Sequence, residues 1–282
     1  MTLLLGAVAY DPKVVTIWEG FRGWLRSHGL DFDFVLYSNY ERQVEDLVGG
    51  RIDVAWNSPL AWVRARRLAG ARGIELIPVT MRDTDCDLTS VVVTRGEAGL
   101  GSLEDLRGRT VATGAVDSPQ ATLIPLQLLR KQGLRPGEDV TVRRFDIGVG
   151  LHGDHIGGER DAARALAAGT ADAACMIDSN LLLFGQEGVL PSDVHVLART
   201  GAYDHCTMTA GPSASQDELA RFTELLLGMS YADPEVRVLL DLEGLKQWRP
   251  PRLEGYAQLE EAVDATGFYD ESGGIGAGDY RP

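Results

Sequence analysis

The strongest constraint on this chain is a rhythm. Short apolar runs of strand length alternate with longer stretches in which apolar residues recur every three or four positions. Leu3 to Val8 is a strand-length run, and Val14 to Leu25 follows with Val15, Trp18, Phe21, Trp24 and Leu25 at helical spacing. Phe32 to Tyr37 alternates as a strand, Tyr40 to Val48 is helical, and Ile52 to Trp56 is a short buried strand. A helix starts at Asn57-Ser58-Pro59, since Asn or Ser caps a helix well and Pro suits its first turn. Gly73 to Thr80 reads as the next strand. Strands alternating with helices imply right-handed crossovers and a mostly parallel sheet flanked by helices, an α/β fold.

After Ser90 to Thr94 come Gly96, Gly99 and Gly101, a composition shift that marks a crossing into a second unit. There the alternation restarts. Thr110 to Thr113 is a strand, Ala121 to Gln132 a helix, Val140 to Phe145 a strand, Glu159 to Ala168 a helix, and Ala173 to Ile177 and Val194 to Ala198 are strands. Thr207 to Ala210 returns to the first unit, followed by helices at Gln216 to Met229 and near Tyr256 to Ala265. With 282 residues, two compact lobes of ordinary domain size are expected. The expected division is 1–93 plus 207–282 for one lobe and 94–206 for the other, with a ligand cleft between them and two strands as the hinge. The Gly-rich tail from Ser272 to Pro282 is expected to be loosely held.

A net charge of −14, with only three lysines, excludes the basic surface on which duplex binding depends. The apolar start from Met1 to Tyr10 lacks the basic n-region, full h-region and cleavage site of a secretion signal. No apolar run reaches membrane-spanning length. The chain as it stands is therefore expected in the cytoplasm, or in the periplasm or another extracytoplasmic space if a signal has been removed. It is read as a monomer with no membrane insertion. Cys86, Cys175 and Cys206 are too few and too scattered for a disulfide scaffold or a close-spaced zinc motif, so no metal and no cofactor is assigned.

The sharpest chemical signal is repeated. Trp56-Asn57-Ser58-Pro59 in one unit and Asp117-Ser118-Pro119-Gln120-Ala121-Thr122 in the other each start a helix just after a buried strand. A helix start offers unpaired N–H groups and a partial positive charge, so two that face each other would clamp an anion, with Asn57, Ser58, Ser118, Gln120 and Thr122 as contacts. Plain capping is the alternative for each motif alone. Tyr10 and Tyr40 could wall the cleft, whereas Trp18 and Trp24 belong to a core face. The loop from His152 to Glu159 carries two histidines and two acids, but its spacing matches no standard metal site. Cys86 and Cys206 precede the expected crossings and could approach each other with His205 nearby, as a reactive thiol pair, a Cys–His couple or simply two inert thiols.

The order of several short motifs resembles the phosphate, phosphite and phosphonate substrate-binding proteins of ABC importers, which have the type 2 periplasmic-binding-protein fold. Those motifs are Tyr37-Ser38-Asn39-Tyr40-Glu41-Arg42-Gln43-Val44, Gly50-Arg51-Ile52-Asp53-Val54-Ala55-Trp56-Asn57-Ser58-Pro59-Leu60-Ala61, Leu103-Glu104-Asp105-Leu106-Arg107-Gly108-Arg109 and Gly169-Thr170-Ala171-Asp172-Ala173, and the resemblance extends to Glu243-Gly244-Leu245-Lys246-Gln247-Trp248. The resemblance implies two lobes closing on a small-molecule oxyanion, with an ABC transporter permease or a sensor protein as partner. It also implies ligand roles for His155, near a position where the family often has a histidine, and for Asp178, opposite an amino end of the ligand. The turn Ser118 to Thr122 has fewer hydroxyls than the family's, so a carboxylate, sulfonate or substituted phosphonate would also suit it. The chain reads as a binder rather than a catalyst. The alternative is an enzyme on the same scaffold, similar at fold level to thiamin-pyrimidine synthases, with His155, His205, Cys206 and Cys86 as reactive groups.

Overall fold

The computed structural model describes residues 2–154 and 158–282. The first stretch of chain lays down β1 (Leu3–Val8), α1 (Lys13–Ser27), β2 (Phe32–Tyr37), α2 (Tyr40–Val48), β3 (Val54–Asn57), α3 (Pro59–Gly70) and β4 (Ile77–Arg82). Next come β5 (Ser90–Arg95), β6 (Thr110–Thr113), a π-helical turn (Pro119–Leu123) running into α4 (Ile124–Lys131), β7 (Thr141–Arg144), α5 (Glu159–Ala167), β8 (Ala173–Ile177), α6 (Asp178–Gln186) and β9 (Val194–Arg199). The chain closes with β10 (Thr207–Ala210), α7 (Gln216–Gly228), α8 (Pro234–Glu243), β11 (Trp248–Arg249) and α9 (Ala257–Thr266). The strand anticipated at Gly73 begins only at Ile77, because Gly73 sits in a turn at φ +65°.

The strands form two sheets, ordered β11-β4-β10-β3-β1-β2 and β7-β6-β8-β5-β9. β1 pairs in parallel with β2 and β3, and β10 lies antiparallel between β3 and β4. β3 and β4 therefore run the same way as β1 and β2. In the second sheet β6 pairs in parallel with β7 and β8, and β5 lies antiparallel between β8 and β9. In each sheet four strands thus run the same way with one strand inserted against the grain, and in the first the short edge strand β11 is also antiparallel, to β4. The inserted strands are the first after each passage of the chain between sheets. The two passages run side by side: the N–H of Leu88 donates to the Tyr203 carbonyl at 2.8 Å, and the N–H of Tyr203 donates back to the Leu88 carbonyl at 2.8 Å.

Both sheets are packed on two faces, as the alternation requires. Val14, Ile17, Trp18, Phe21 and Leu25 of α1 are buried with Phe32 and with Phe222 of α7, whose rings stack at 5.8 Å. Val15 instead points outward, 46% exposed, so the apolar face of α1 is narrower than the sequence suggests. On β5, Val91 and Val93 face one core with α5 and α6, while Val92 faces another with Leu106 and Leu129, following the period of two in a strand.

A further core joins elements of both sheets. Leu60 and Val63 of α3 meet Val116, Leu123 and Ile124 beside the π-helical turn, together with Leu259 and Val263 of α9, Phe268, Tyr269 and Tyr280. Here the expectation of a loose tail is corrected. Tyr280 is 1% exposed, its ring packs 4.9 Å from that of Phe268, and Asp279 pairs with Arg144 at 2.6 Å. The glycines hide an aromatic anchor whose burial outweighs the cost of ordering the segment. Replacing Tyr280 by Ala should cost about 3 kcal/mol in urea unfolding, as for other large buried rings. A loss no larger than the roughly 0.5 kcal/mol of a surface substitution would show that the tail is not an anchor.

Candidate functional site

The two anticipated helix starts both form, and in the same way. The Ser58 hydroxyl accepts the Ala61 N–H at 3.1 Å at the start of α3, and the Ser118 hydroxyl accepts the Ala121 N–H at 3.2 Å at the start of the π-helical turn. One loop touches both. The His152 ring places Nδ1 2.6 Å from the Ser58 hydroxyl, and the carbonyl of the next residue, Gly153, accepts from the Gln120 amide at 2.7 Å. Neighbouring α-carbons are only about 3.8 Å apart, so the two helix starts face each other across this loop. Gly153 has φ +72°, and a Cβ there would stand 2.3 Å from the Ser118 hydroxyl. Only glycine fits that close approach.

His152 is fully buried and is the keystone of the loop. Its Nε2 lies 2.9 Å from Glu41, its ring stacks on Tyr40 at 4.8 Å, and its N–H, with that of Gly150, donates to the Asp117 carboxylate at 3.2 and 2.6 Å. The Tyr269 hydroxyl also donates to Glu41, at 2.7 Å. Burial alone would raise the Glu41 pKa. Attraction and hydrogen bonding from His152, with hydrogen bonds from Tyr280 and Tyr269, outweigh it and bring the carboxyl down to about 2.

A second group of charges lies where the crossing segments leave the first sheet. Arg82 donates to both Asp85 oxygens at 2.7 and 2.8 Å and to Glu243 at 3.3 Å, and its guanidinium sits 5.2 Å from the Trp56 ring centre. The His205 ring places Nδ1 3.1 Å from the Cys206 sulfur and 3.6 Å from Asp85. Burial, then repulsion from the carboxylates of Asp85 and Asp154, pushes the Cys206 thiol well above its ordinary value, so it stays protonated near neutral pH. Burial raises Glu243 to about 7 even with Arg82 opposing it. Burial likewise raises the phenol of Tyr10, which feels Glu243 and Asp154 and is half-buried beside this group.

The structure thus brings together most of the anticipated residues. Tyr40 is buried and its hydroxyl donates to Asp154; Asn57, Ser58, Ser118, Gln120 and Thr122 are all buried. Asn57 accepts from Gln43 at 3.0 Å. Asp178 lies elsewhere: it heads α6 partly exposed, its N–H donates to Thr89 at 2.9 Å, and its carboxylate pairs with Arg199. His155 lies outside the described residues. Cys86 is half-buried and donates to the Arg82 carbonyl at 3.6 Å, burial raises its thiol, and all three cysteines are free.

Sequence reading missed Glu41, Arg82, Asp85, Asp117, Asp154, Glu159 and Glu243. Glu159, at the start of α5, is 1% exposed; its Oε2 accepts from the Ile177 N–H at 3.1 Å and from Asn180 at 2.7 Å. Among the described residues, Oε1 of Glu159, Oε1 of Gln120, Nδ2 of Asn57 and the Thr122 hydroxyl are buried without a hydrogen-bond partner. Burial holds the Glu159 pKa above its usual value. Asp117 was the most legible of these, since it directly precedes the Ser118 cap.

The Glu41 carboxyl, depressed in the fold, contributes stability that is present above its unfolded pKa of about 4.3 and is lost as pH falls towards about 2. Glu41→Gln should therefore lose less stability than the natural chain between pH 6 and pH 3. Equal losses in urea unfolding at the two pH values would remove Glu41 from the account.

Comparison with known proteins points the same way as the geometry. The family model described as "ABC transporter, phosphonate, periplasmic substrate-binding protein" matches residues 7–256. The fold is similar to that of PhnD1 from Prochlorococcus marinus in complex with methylphosphonate, with a TM-score of 0.69, 16% identity, and coverage of 95% of this chain and 99% of that one. It is also similar to a binding protein component of an ABC phosphonate transporter from Pseudomonas aeruginosa, with a TM-score of 0.63, 14% identity, and coverage of 93% and 85%. The periplasmic aliphatic sulphonate binding protein SsuA from Escherichia coli follows at a TM-score of 0.57, 17% identity, and coverage of 93% and 90%. An uncharacterized protein of Haemophilus influenzae is 28% identical over 102 residues, 36% of this chain and 65% of that protein. The chain belongs to the phosphonate-binding family of ABC-transporter periplasmic substrate-binding proteins, and its two helix-flanked sheets are the type 2 fold of that family.

Proposed function

We propose that this chain takes up a small organic anion carrying a hydrogen-bond donor, such as an amino-substituted phosphonate or sulfonate, and presents it outside the cytoplasm to an ABC transporter permease. The observation that carries this reading is the pair of facing, serine-capped helix starts with unpartnered buried groups beside them. Helix starts favour negative charge. The unpartnered groups are of both kinds. Asn57 Nδ2 is a donor and suits an oxyanion, whereas Oε1 of Gln120 is an acceptor and calls for an N–H or ammonium, beside a Glu159 carboxyl that Gln120 itself hydrogen-bonds. Ser58 is already engaged by His152 and by its own helix, so Asn57 and Thr122 are the better contacts. The acidic role that the family resemblance assigns to Asp178 passes in this reading to Glu159, because Asp178 is paired with Arg199.

The lobes in this reading are residues 1–93 with 207–282, and 94–206, bending about the paired crossing segments at Leu88 and Tyr203. Two adjacent strands can hinge while both cores stay intact. Binding without turnover is favoured over the enzyme reading, because a buried thiol among carboxylates makes a poor nucleophile.

Two titrations test this. Ser118 and Thr122 changed together to Ala should weaken calorimetric affinity for methylphosphonate, an amino-substituted phosphonate or a sulfonate at least about tenfold, since each hydrogen bond to a charged group is worth about 1.5–3 kcal/mol. Unchanged affinity would overturn the anion assignment. Glu159→Gln should spare methylphosphonate and weaken the amino-substituted compound, and equal effects on both would remove the donor end from the proposal.

A further inference from the structure

We propose that Asp85, His205 and Cys206 form a binding site for one divalent transition-metal ion, of the zinc class, where the crossing segments leave the first sheet. All three residues are buried, and one ligand atom from each lies within 4.8 Å of the others. The two separations from His205 are close to those of a coordination shell. A tetrahedral ion with Zn–N and Zn–O near 2.1 Å and Zn–S near 2.3 Å sets its ligand atoms about 3.3–3.6 Å apart. His205 Nδ1 stands 3.1 Å from the Cys206 sulfur and 3.6 Å from Asp85 Oδ1. The third pair, Asp85 and Cys206, lies within 4.8 Å, so an ion would draw those two ligands together around His205.

The scaffold around these atoms is fixed in the way a metal shell needs. The His205 N–H donates to the Asp85 carbonyl at 2.8 Å, tying two of the ligands together through the main chain. Arg82 grips both Asp85 oxygens, at 2.7 and 2.8 Å, and each oxygen keeps a second lone pair for an ion. A hydrogen-bonded ligating carboxylate is the usual outer shell of such sites. The charges balance when Glu243 is ionised: the thiolate, Asp85 and Glu243 together offset a divalent ion and Arg82. Three protein ligands leave a fourth position open, the pattern of sites that bind a further group.

Binding requires the thiol to ionise, Cys–SH + M²⁺ → Cys–S–M⁺ + H⁺, with the proton passing to buffer. Zinc chloride titrated into the metal-stripped full chain should bind at one equivalent, with a heat that varies with buffer ionisation enthalpy as release of about one proton demands. Cobalt(II) should give the thiolate-to-metal charge-transfer band of a Co–S bond, and Cys206→Ser should abolish it. Cys206→Ser, His205→Ala and Asp85→Asn should each weaken zinc at least about hundredfold, beyond the 10–100-fold typical of outer-shell partners. Cys86→Ser and Cys175→Ser should bind as the natural chain does. If a variant fails to fold, the cobalt spectrum and proton release of the natural chain still decide. No saturable binding near one equivalent, cobalt bound without the thiolate band, or undiminished affinity in folded Cys206→Ser would each overturn the site. Metal alone is the probe, so a negative result here is distinct from a negative result with phosphonates or sulfonates.

Discussion

The seat of His152 holds the structure's functional region together. One imidazole from the second half of the chain enters the first, contacts the Ser58 cap, Glu41 and Tyr40, and is held from behind by Asp117. A buried polar group without partners costs about 1–3 kcal/mol, so a ring with partners on both nitrogens and on its face can be buried where a free one could not. The neighbouring contacts are built around the same seat. The Gly153 carbonyl meets Gln120, the Tyr40 hydroxyl reaches Asp154, Tyr269 beyond α9 donates to Glu41, and Tyr280 of the tail lies against His152.

The fold was legible because it depends on periodicity. The strand runs at Leu3 and Phe32, the apolar stripe of α1 and the serine caps at Ser58 and Ser118 all express local rules that burial does not override. The site was legible only where a local rule coincided with it. His152 and Glu41 are 111 positions apart, and nothing in either neighbourhood announces that they meet. Glu159 begins an amphipathic helix and looks like a solvated first-turn acid until the chain folds it against Asn180 and Ile177. The tail misled for the opposite reason. Its glycines dominate the composition, while a single tyrosine determines its placement.

The balance of charge explains why the candidate site cannot be read as a simple anion trap. Asp85, Asp154 and Glu243 lie near one another beside Arg82, and Glu159 lies within electrostatic reach of His205. Some of this negative charge is paired, and some is removed by protonation where burial raises the carboxyl, as at Glu243, near 7. A ligand entering such a place must bring positive charge or hydrogen-bond donors of its own, or meet a cation already there.

The strands inserted against the grain have a consequence for how the chain is made. β10 is central to the first sheet, between β3 and β4, yet it follows more than 120 residues after β4. As the chain leaves the ribosome, the second sheet has all its described strands in one uninterrupted segment, Ser90 to Arg199, and can assemble as a unit. The first sheet must wait. Until Thr207 to Ala210 emerge, β3 and β4 present unpaired edges, the kind of surface through which strands of different chains join. The half synthesised first is therefore the half completed last, and the period of greatest exposure to misassembly falls during synthesis of the other half.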